Sequence, residues 1–304
     1  MKEAFIQKRF TKDSSSLIVM INAILDEYSA QGFDLTLRQL YYQLISRDLL
    51  PESWIDPNTG SKNTQKNYKR VGDLVSNARL AGMIDWHMIS DRGRVTVHQS
   101  HWENPGEIIQ SAAYSFRIDK WADQPCYCEV MVEKQALEGV LLPVCRDLDI
   151  PFSSNKGYSS STAMYYAGIR MEVQARKGKK VYMLYLGDHD PSGIDMTRDV
   201  DERLTLFAHN QHIVVRRLAL NFPQIKKLNP PENPAKETDA RFSQYMARYG
   251  ASSWELDAIE PRTLAQIVTD AVKAIRNEAL WIVAKAREDN MRAELLKYSE
   301  RYLK

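Results

Sequence analysis

The run Val181-Tyr182-Met183-Leu184-Tyr185-Leu186-Gly187-Asp188-His189-Asp190-Pro191-Ser192-Gly193 decides the fold. Residues 181–186 are uncharged and mostly apolar, which reads as a strand covered on both faces, as in a parallel sheet. The basic run Arg176-Lys177-Gly178-Lys179-Lys180 marks the exposed turn before it, and Ile194-Asp195-Met196-Thr197 begins a helical pattern after it. Carboxylates at the carboxyl end of a parallel strand face the crevice where open α/β sheets bind ligands. Two close carboxylates repel unless a cation lies between them, and an all-oxygen site suits Mg²⁺. An Asp-rich turn uses the same residue types, so a third carboxylate in a matching context matters. Cys126-Tyr127-Cys128-Glu129-Val130-Met131-Val132 reads as another buried strand, ends in Glu133-Lys134, and is followed by a helical pattern over 135–142.

Glu133 after one strand and Asp188-His189-Asp190-Pro191-Ser192-Gly193 after another resemble a Toprim domain. The form Asp-x-Asp-Pro-x-Gly is similar to that of the A subunit of topoisomerase VI and its meiotic double-strand-break relatives. Asn155-Lys156-Gly157-Tyr158-Ser159-Ser160 matches a glycine turn of that family, and Trp254-Glu255-Leu256-Asp257-Ala258-Ile259-Glu260-Pro261 its late Glu-Leu-x-Ala segment. The resemblance implies that Glu133, Asp188 and Asp190 hold one or two Mg²⁺ ions, with Mn²⁺ as the alternative.

The chain has 304 residues, 44% hydrophobic and 26% charged, ordinary for a globular protein of one or two domains. A formal net charge of +2 makes any nucleic-acid surface a local one. No apolar run reaches the roughly 20 residues needed to span a bilayer, and the polar start argues against a secretory signal. A cytoplasmic protein is expected, nucleoid-associated if bacterial or phage-borne. The three cysteines form no framework. Cys126 and Cys128 are expected on opposite strand faces, which argues against a shared zinc.

Residues 14–30 read as a helix capped by Ser14, Ser15 or Ser16, with Leu17, Ile18, Ile21, Ile24 and Leu25 as its apolar stripe. The next helix starts near Thr36; Leu37, Leu40, Tyr41 and Leu44 share its core face. Tyr42 falls off that face with Arg38 one turn before it, so its hydroxyl can point outward beside a guanidinium. A third helix carries Val71, Leu74, Val75 and Ala78 on one arc and Lys62, Lys66, Lys69, Arg70 and Asn77 on the other, the shape of a helix laid against phosphates. Met83–Trp86 and Arg94–His98 read as a hairpin turning at Asp91-Arg92-Gly93. Helices plus a two-stranded wing make a winged helix. The expected organisation is therefore α/β: a winged-helix DNA-binding domain over 1–104, a linker over 105–125 with a connecting helix, and over 126–304 a Toprim domain with a mostly parallel sheet flanked by helices. Residues 221–238, with four prolines, read as a long exposed loop.

The winged helix also resembles the family, whose DNA-attacking tyrosine lies in an Arg-x-x-Tyr-Tyr context. Here that is Arg38, Tyr41 and Tyr42, with Tyr42 matching the nucleophile. The resemblance implies Mg²⁺-dependent cleavage of double-stranded DNA by tyrosine transesterification. In the family the tyrosine and the acids meet across a homodimer. No Gly-x-x-x-x-Gly-Lys-Ser/Thr signature is present, so strand passage would need a separate ATPase subunit. Two alternatives stand beside this: a Toprim nuclease that hydrolyses DNA or RNA with water, as some bacterial and phage-borne relatives do, and a non-catalytic winged-helix scaffold. His189, between the aspartates, is expected to point away from any metal, and Asp195 to favour the dipole of the following helix.

Overall fold

The structure is a computed structural model and describes residues 2–90, 99–155 and 157–303. Its first unit is helical: α1 (Lys12–Ala30), α2 (Leu37–Ser46) and α3 (Gln65–Leu80). Leu17, Ile18, Ile21, Ile24 and Leu25 of α1 pack with Leu40, Tyr41 and Leu44 of α2 and Val71, Val75 and Ala78 of α3. Each helix starts where a hydroxyl can meet an orphan amide. Thr11, not one of the three serines, caps α1; Thr36 forms a capping box with Gln39 at α2; Thr64 caps α3.

The expected wing has no strand over Met83–Trp86. The backbone turns into a short 3-10 helix over Trp86–Met88, capped by Asp85. Arg79 holds that helix, donating to the carbonyls of Trp86 at 2.8 Å and Ile89 at 2.6 Å. The second half of the hairpin, with its turn at Asp91-Arg92-Gly93, lies outside the described residues.

α4 (Pro105–Ser115) was expected inside a linker, yet it lies against the C-terminal helix: a Cβ on Gly106 would stand 2.8 Å from Tyr302 backbone. The strands β1 (Cys126–Val132), β2 (Phe152–Ser154), β3 (Lys180–Leu186) and β4 (Ile213–Ala219) then alternate with α5 (Glu138–Asp147), α6 (Ser161–Arg176) and α7 (Pro191–Phe207). All pairings are parallel, in the order β2-β1-β3-β4. The chain moves one way from β1 to β2 and the other way to β3, so the topological switch point lies between the carboxyl ends of β1 and β3.

Strand alternation sorts the sheet into two cores. Val130, Val132, Leu184 and Leu186 face Val140 and Leu141 of α5 and, beyond them, Leu264, Val268 and Val272. Met131, Val181, Met183 and Tyr185 face Met164 and Met171 of α6 and Met196, Val200 and Leu204 of α7. Cys126 and Cys128 lie in the same core, on the same face of β1, because residues two apart on a strand share a face. The expectation of opposite faces was wrong; both thiols are buried among apolar side chains and Cys126 donates to the Ile275 carbonyl at 3.1 Å.

Residues 221–238 do not form a long loop. They hold α8 (Phe222–Leu228) and β5 (Asn233–Pro234), which pairs antiparallel with β6 (Ser252–Ser253) after α9 (Phe242–Tyr249). Asn221 and Gln224 form a capping box that starts α8. The chain ends in α10 (Pro261–Lys273) and α11 (Glu278–Ser299). Among the described residues no helix is long and apolar enough to cross a membrane.

Leu184 is fully buried at the centre of β3. Leu184→Ala should therefore cost about 2–5 kcal/mol, read as a lower midpoint in urea denaturation with little change in slope.

Candidate functional site

The site forms where β1 and β3 end side by side. Glu133 follows β1, its N–H donating to the Leu186 carbonyl at 2.9 Å, so the ladder carries one residue past the strand. Its side chain crosses to the β3 turn, where Glu133 Oε2 accepts from the Asp188 N–H at 2.9 Å. A Cβ on Gly187 would stand 2.7 Å from that oxygen, so this crossing needs glycine there. A Cβ on Gly193 would strike the Asp188 carbonyl, so the turn folds this tightly only with glycine at its far end. Asp190 caps α7: its Oδ1 accepts from Gly193 N at 2.5 Å and Ser192 Oγ at 3.0 Å. The helix thus begins at Pro191, three residues before the expected start.

Behind the turn lies Arg217 of β4. Its guanidinium donates to the carbonyls of Gly187 and Gly193, both at 2.9 Å, and to the Asp188 carbonyl and Thr197 Oγ1. Nothing in the sequence distinguishes Arg217 from its strand neighbours, so only the fold reveals it as the residue that shapes the turn.

Asp188 is the junction of the site. Its Oδ1 accepts from Leu256 N at 2.8 Å and its Oδ2 lies 2.8 Å from Lys134 Nζ. The same ammonium is 2.8 Å from Glu255 Oε2 and 2.6 Å from Asp257 Oδ1. Lys134 thus joins three carboxylates, none of them its chain neighbour Glu133. Arg38 of α2 completes the chain, 2.5 Å from Glu255 Oε2 and 3.2 Å from Asp257 Oδ2. Glu255 and Asp257 were not among the expected site residues. Their one signal was the late Glu-Leu-x-Ala segment, which the backbone pairing of Trp254 with His189 brings against the β3 turn.

Tyr42 lies outside the helical core, with the Arg38 guanidinium 5.9 Å from its ring centroid. Its hydroxyl does not point into solvent as expected: the residue is 3% exposed. Arg38 meets Glu255 and Asp257 within one chain. Of the four cations expected on α3, Lys62 precedes the helix and pairs with Asp48 at 2.7 Å and with Glu52. Arg70 lies over Trp54 at 5.2 Å and donates to Asn67. Lys66 and Lys69 are exposed.

Burial pushes the Glu133 carboxyl up, and the charge of Asp190 adds to the effect. Burial also raises Asp188, against the pull of Lys134. Burial alone would depress the Lys134 ammonium, but Asp257, Asp188 and Glu255 hold it well above the ordinary lysine range. Against its own burial, Glu255 is drawn down to about 2 by Lys134 and Arg38. The Tyr42 phenol is raised by burial and by the charge of Glu255. His189 points away from the acids, as expected. It stacks among Phe222, Tyr245, Tyr249 and Trp254, with Nδ1 2.8 Å from Tyr245 Oη. Asp195 does not join the acids; it pairs with Arg198 at 2.8 Å.

A cavity of about 500 Å³ opens over this network, lined by Glu133, Asp188, Asp190, Lys134, Arg38 and, from the proline-rich segment, Lys236. Among the described residues no three His, Cys, Asp or Glu side chains are arranged to grip a metal ion together. The physical reason is that Lys134 already supplies the cation between Asp188, Glu255 and Asp257. Oxygens are still available: within the described residues no hydrogen bond reaches Glu133 Oε1 or Asp190 Oδ2. Two open carboxylate oxygens beside a roomy cavity fit Mg²⁺, which binds through one or two carboxylates and keeps several waters. Compared with models of known families, with curated proteins and with solved structures, the chain finds no match.

Two outcomes follow from these charges. Lys134→Met leaves three carboxylates facing one another and should cost about 3–5 kcal/mol, with Lys134→Arg recovering part of the loss in thermal melts. Burial lowers the His189 imidazole from 6.5 to about 4. The folded chain therefore holds it neutral while the unfolded chain takes up a proton first. Its contribution to stability is complete above pH 6.5 and is lost as pH falls toward about 4. His189→Phe should flatten that part of the stability profile in urea titrations at successive pH values.

Proposed function

We propose that the chain cleaves double-stranded DNA in a divalent-metal-dependent reaction, in the manner of the topoisomerase VI A subunits it resembles. The observation that carries this reading is the meeting of Glu133 and Asp188 across adjacent strand ends, over a cavity that Asp190, Lys134 and Arg38 also line. Glu133, Asp188 and Asp190 would hold one or two Mg²⁺ ions, or Mn²⁺. A bound ion there would neutralise charge on the phosphodiester and its leaving oxygen.

The chain's own residues have these roles. Arg38, with 45% of its side chain exposed, exchanges Glu255 for a DNA phosphate. That exchange removes one of the two cations that keep Glu255 acidic, so its carboxylate becomes a better proton acceptor. Glu255 bears on the Tyr42 phenol through its charge. It takes the phenolic proton as Tyr42 Oη bonds to phosphorus and the bond from phosphorus to the bridging sugar oxygen breaks, that oxygen taking a proton from water to leave as a hydroxyl. Phosphate binding and activation of the tyrosine are thereby one event. Lys66 and Lys69 on α3 contact the backbone farther along the duplex. Two copies of the chain cut two strands, and any strand passage is driven by a separate ATPase.

A second reading has its own support. Tyr42 is buried and its phenol is raised, the opposite of an activated nucleophile. On that reading the same acids direct water at a phosphodiester of DNA or RNA, and Tyr42 serves only to hold Arg38.

Supercoiled DNA incubated with Mg²⁺, then run on denaturing gels with and without protease, separates these. Glu133→Gln should lower cleavage by about 100-fold or more. Tyr42→Phe should abolish ends that shift only after protease. Wild-type cleavage by Tyr42→Phe with no protein-linked ends selects hydrolysis. Absence of cleavage with either ion leaves a DNA-binding scaffold.

A further inference from the structure

A larger cavity, about 1140 Å³, opens beside the amino end of the edge strand β2. Asp149, Ile150 and Pro151 in its wall lead into the amino end of β2, whereas Glu133 and Asp188 follow the carboxyl ends of β1 and β3. Its lining carries seven basic side chains against four carboxylates. The innermost acid, Glu288, is buried and satisfied, by Lys120 at 2.6 Å, Arg292 at 2.5 Å and the Ile118 N–H at 3.0 Å. Asp149 accepts from the Lys120 N–H at 3.0 Å, and Asp289 pairs with Arg292 at 3.0 Å. Arg146 from the end of α5, Lys273 from the end of α10 and Lys285 of α11 are exposed. Among the described residues they have no ion-pair partner. Arg292 Nε is buried in the same wall without an acceptor.

We infer that this cavity is a second nucleic-acid site, which takes the phosphodiester backbone of DNA away from the acid cluster. Three of its seven cations, Arg146, Lys273 and Lys285, have no ion-pair partner among the described residues, and unpaired cations suit phosphate. Its aromatic ring is unavailable for bases: Trp281 is 7% exposed, with Arg276 over its face at 4.3 Å and Trp121 at 6.3 Å. A site with charge and no free stacking platform holds backbone and leaves sequence unread. The volume exceeds the roughly 300–1,000 Å³ of ordinary small-ligand pockets, which favours a polymer over a free nucleotide. The inference does not depend on the cleavage reading, since it uses none of the residues of the acid site.

Lysine acetylation of the wild-type chain in EDTA, with and without a short mixed-sequence duplex, tests it directly. The duplex should protect Lys273 and Lys285, which a duplex confined to the acid site would leave reactive. In anisotropy titrations over a range of salt, Arg146→Glu/Lys273→Glu/Lys285→Glu should bind the duplex about tenfold more weakly, with a salt slope smaller by about 2–3. Unprotected lysines overturn the inference whether or not the triple variant folds, as do unchanged affinity and slope in a folded variant. Inorganic triphosphate is the control ligand. If it protects both lysines while the duplex does not, the site belongs to a free polyphosphate and the DNA assignment fails.

Discussion

The Lys134 ammonium, shared by Asp188, Glu255 and Asp257, is the interaction on which the rest of the site depends. Like-charged carboxylates cannot be gathered in a poorly solvated place without a counter-charge. Here that charge comes from the residue after Glu133, so the strand that delivers one acid also delivers the cation that lets three others assemble. Arg38 extends the same compensation to the helical unit through Glu255 and Asp257. The N-terminal helices and the sheet are thus joined by charge as well as by packing.

This arrangement makes the site responsive to what enters it. Asp188, Glu255 and Asp257 each already have a cation, and Lys134 and Arg38 each already have more than one acid. Any ligand that pairs with one of these five groups must displace a partner it already has. The groups behind the site do not share this freedom. Arg217 ties the turn from one side and the backbone bridge between His189 and Trp254 ties it from the other. Rigid support under an exchangeable rim suits a site that must hold acids in place while its counter-charges move.

Much of the architecture could be read directly. The two runs read as buried strands are β1 and β3, the helical stripes of α1 to α3 are buried, and the acids lie at strand ends. These features depend on periodicity and on strand-turn-helix order, which are local. The misses also have local causes. Met83–Trp86 has strand composition but is drawn into a turn by Asp85 and Arg79. Residues 221–238 are rich in proline, yet three of the four prolines stand where proline is tolerated: at the first turn of α8, after its end and in a two-residue edge strand.

By itself the sequence determined that two buried strands end in carboxylates, those of β3 between the glycines Gly187 and Gly193, because alternation, burial and close backbone approach are written in neighbouring residues. Only the tertiary structure decided which charges those carboxylates meet. Glu255 and Asp257 lie 121 and 123 residues along the chain from Lys134, and Arg38 lies 217 residues from Glu255. Their pairing follows from strand order and from the docking of α2 against the sheet unit. No spacing along the chain encodes that docking; it is set by which buried surfaces fit together.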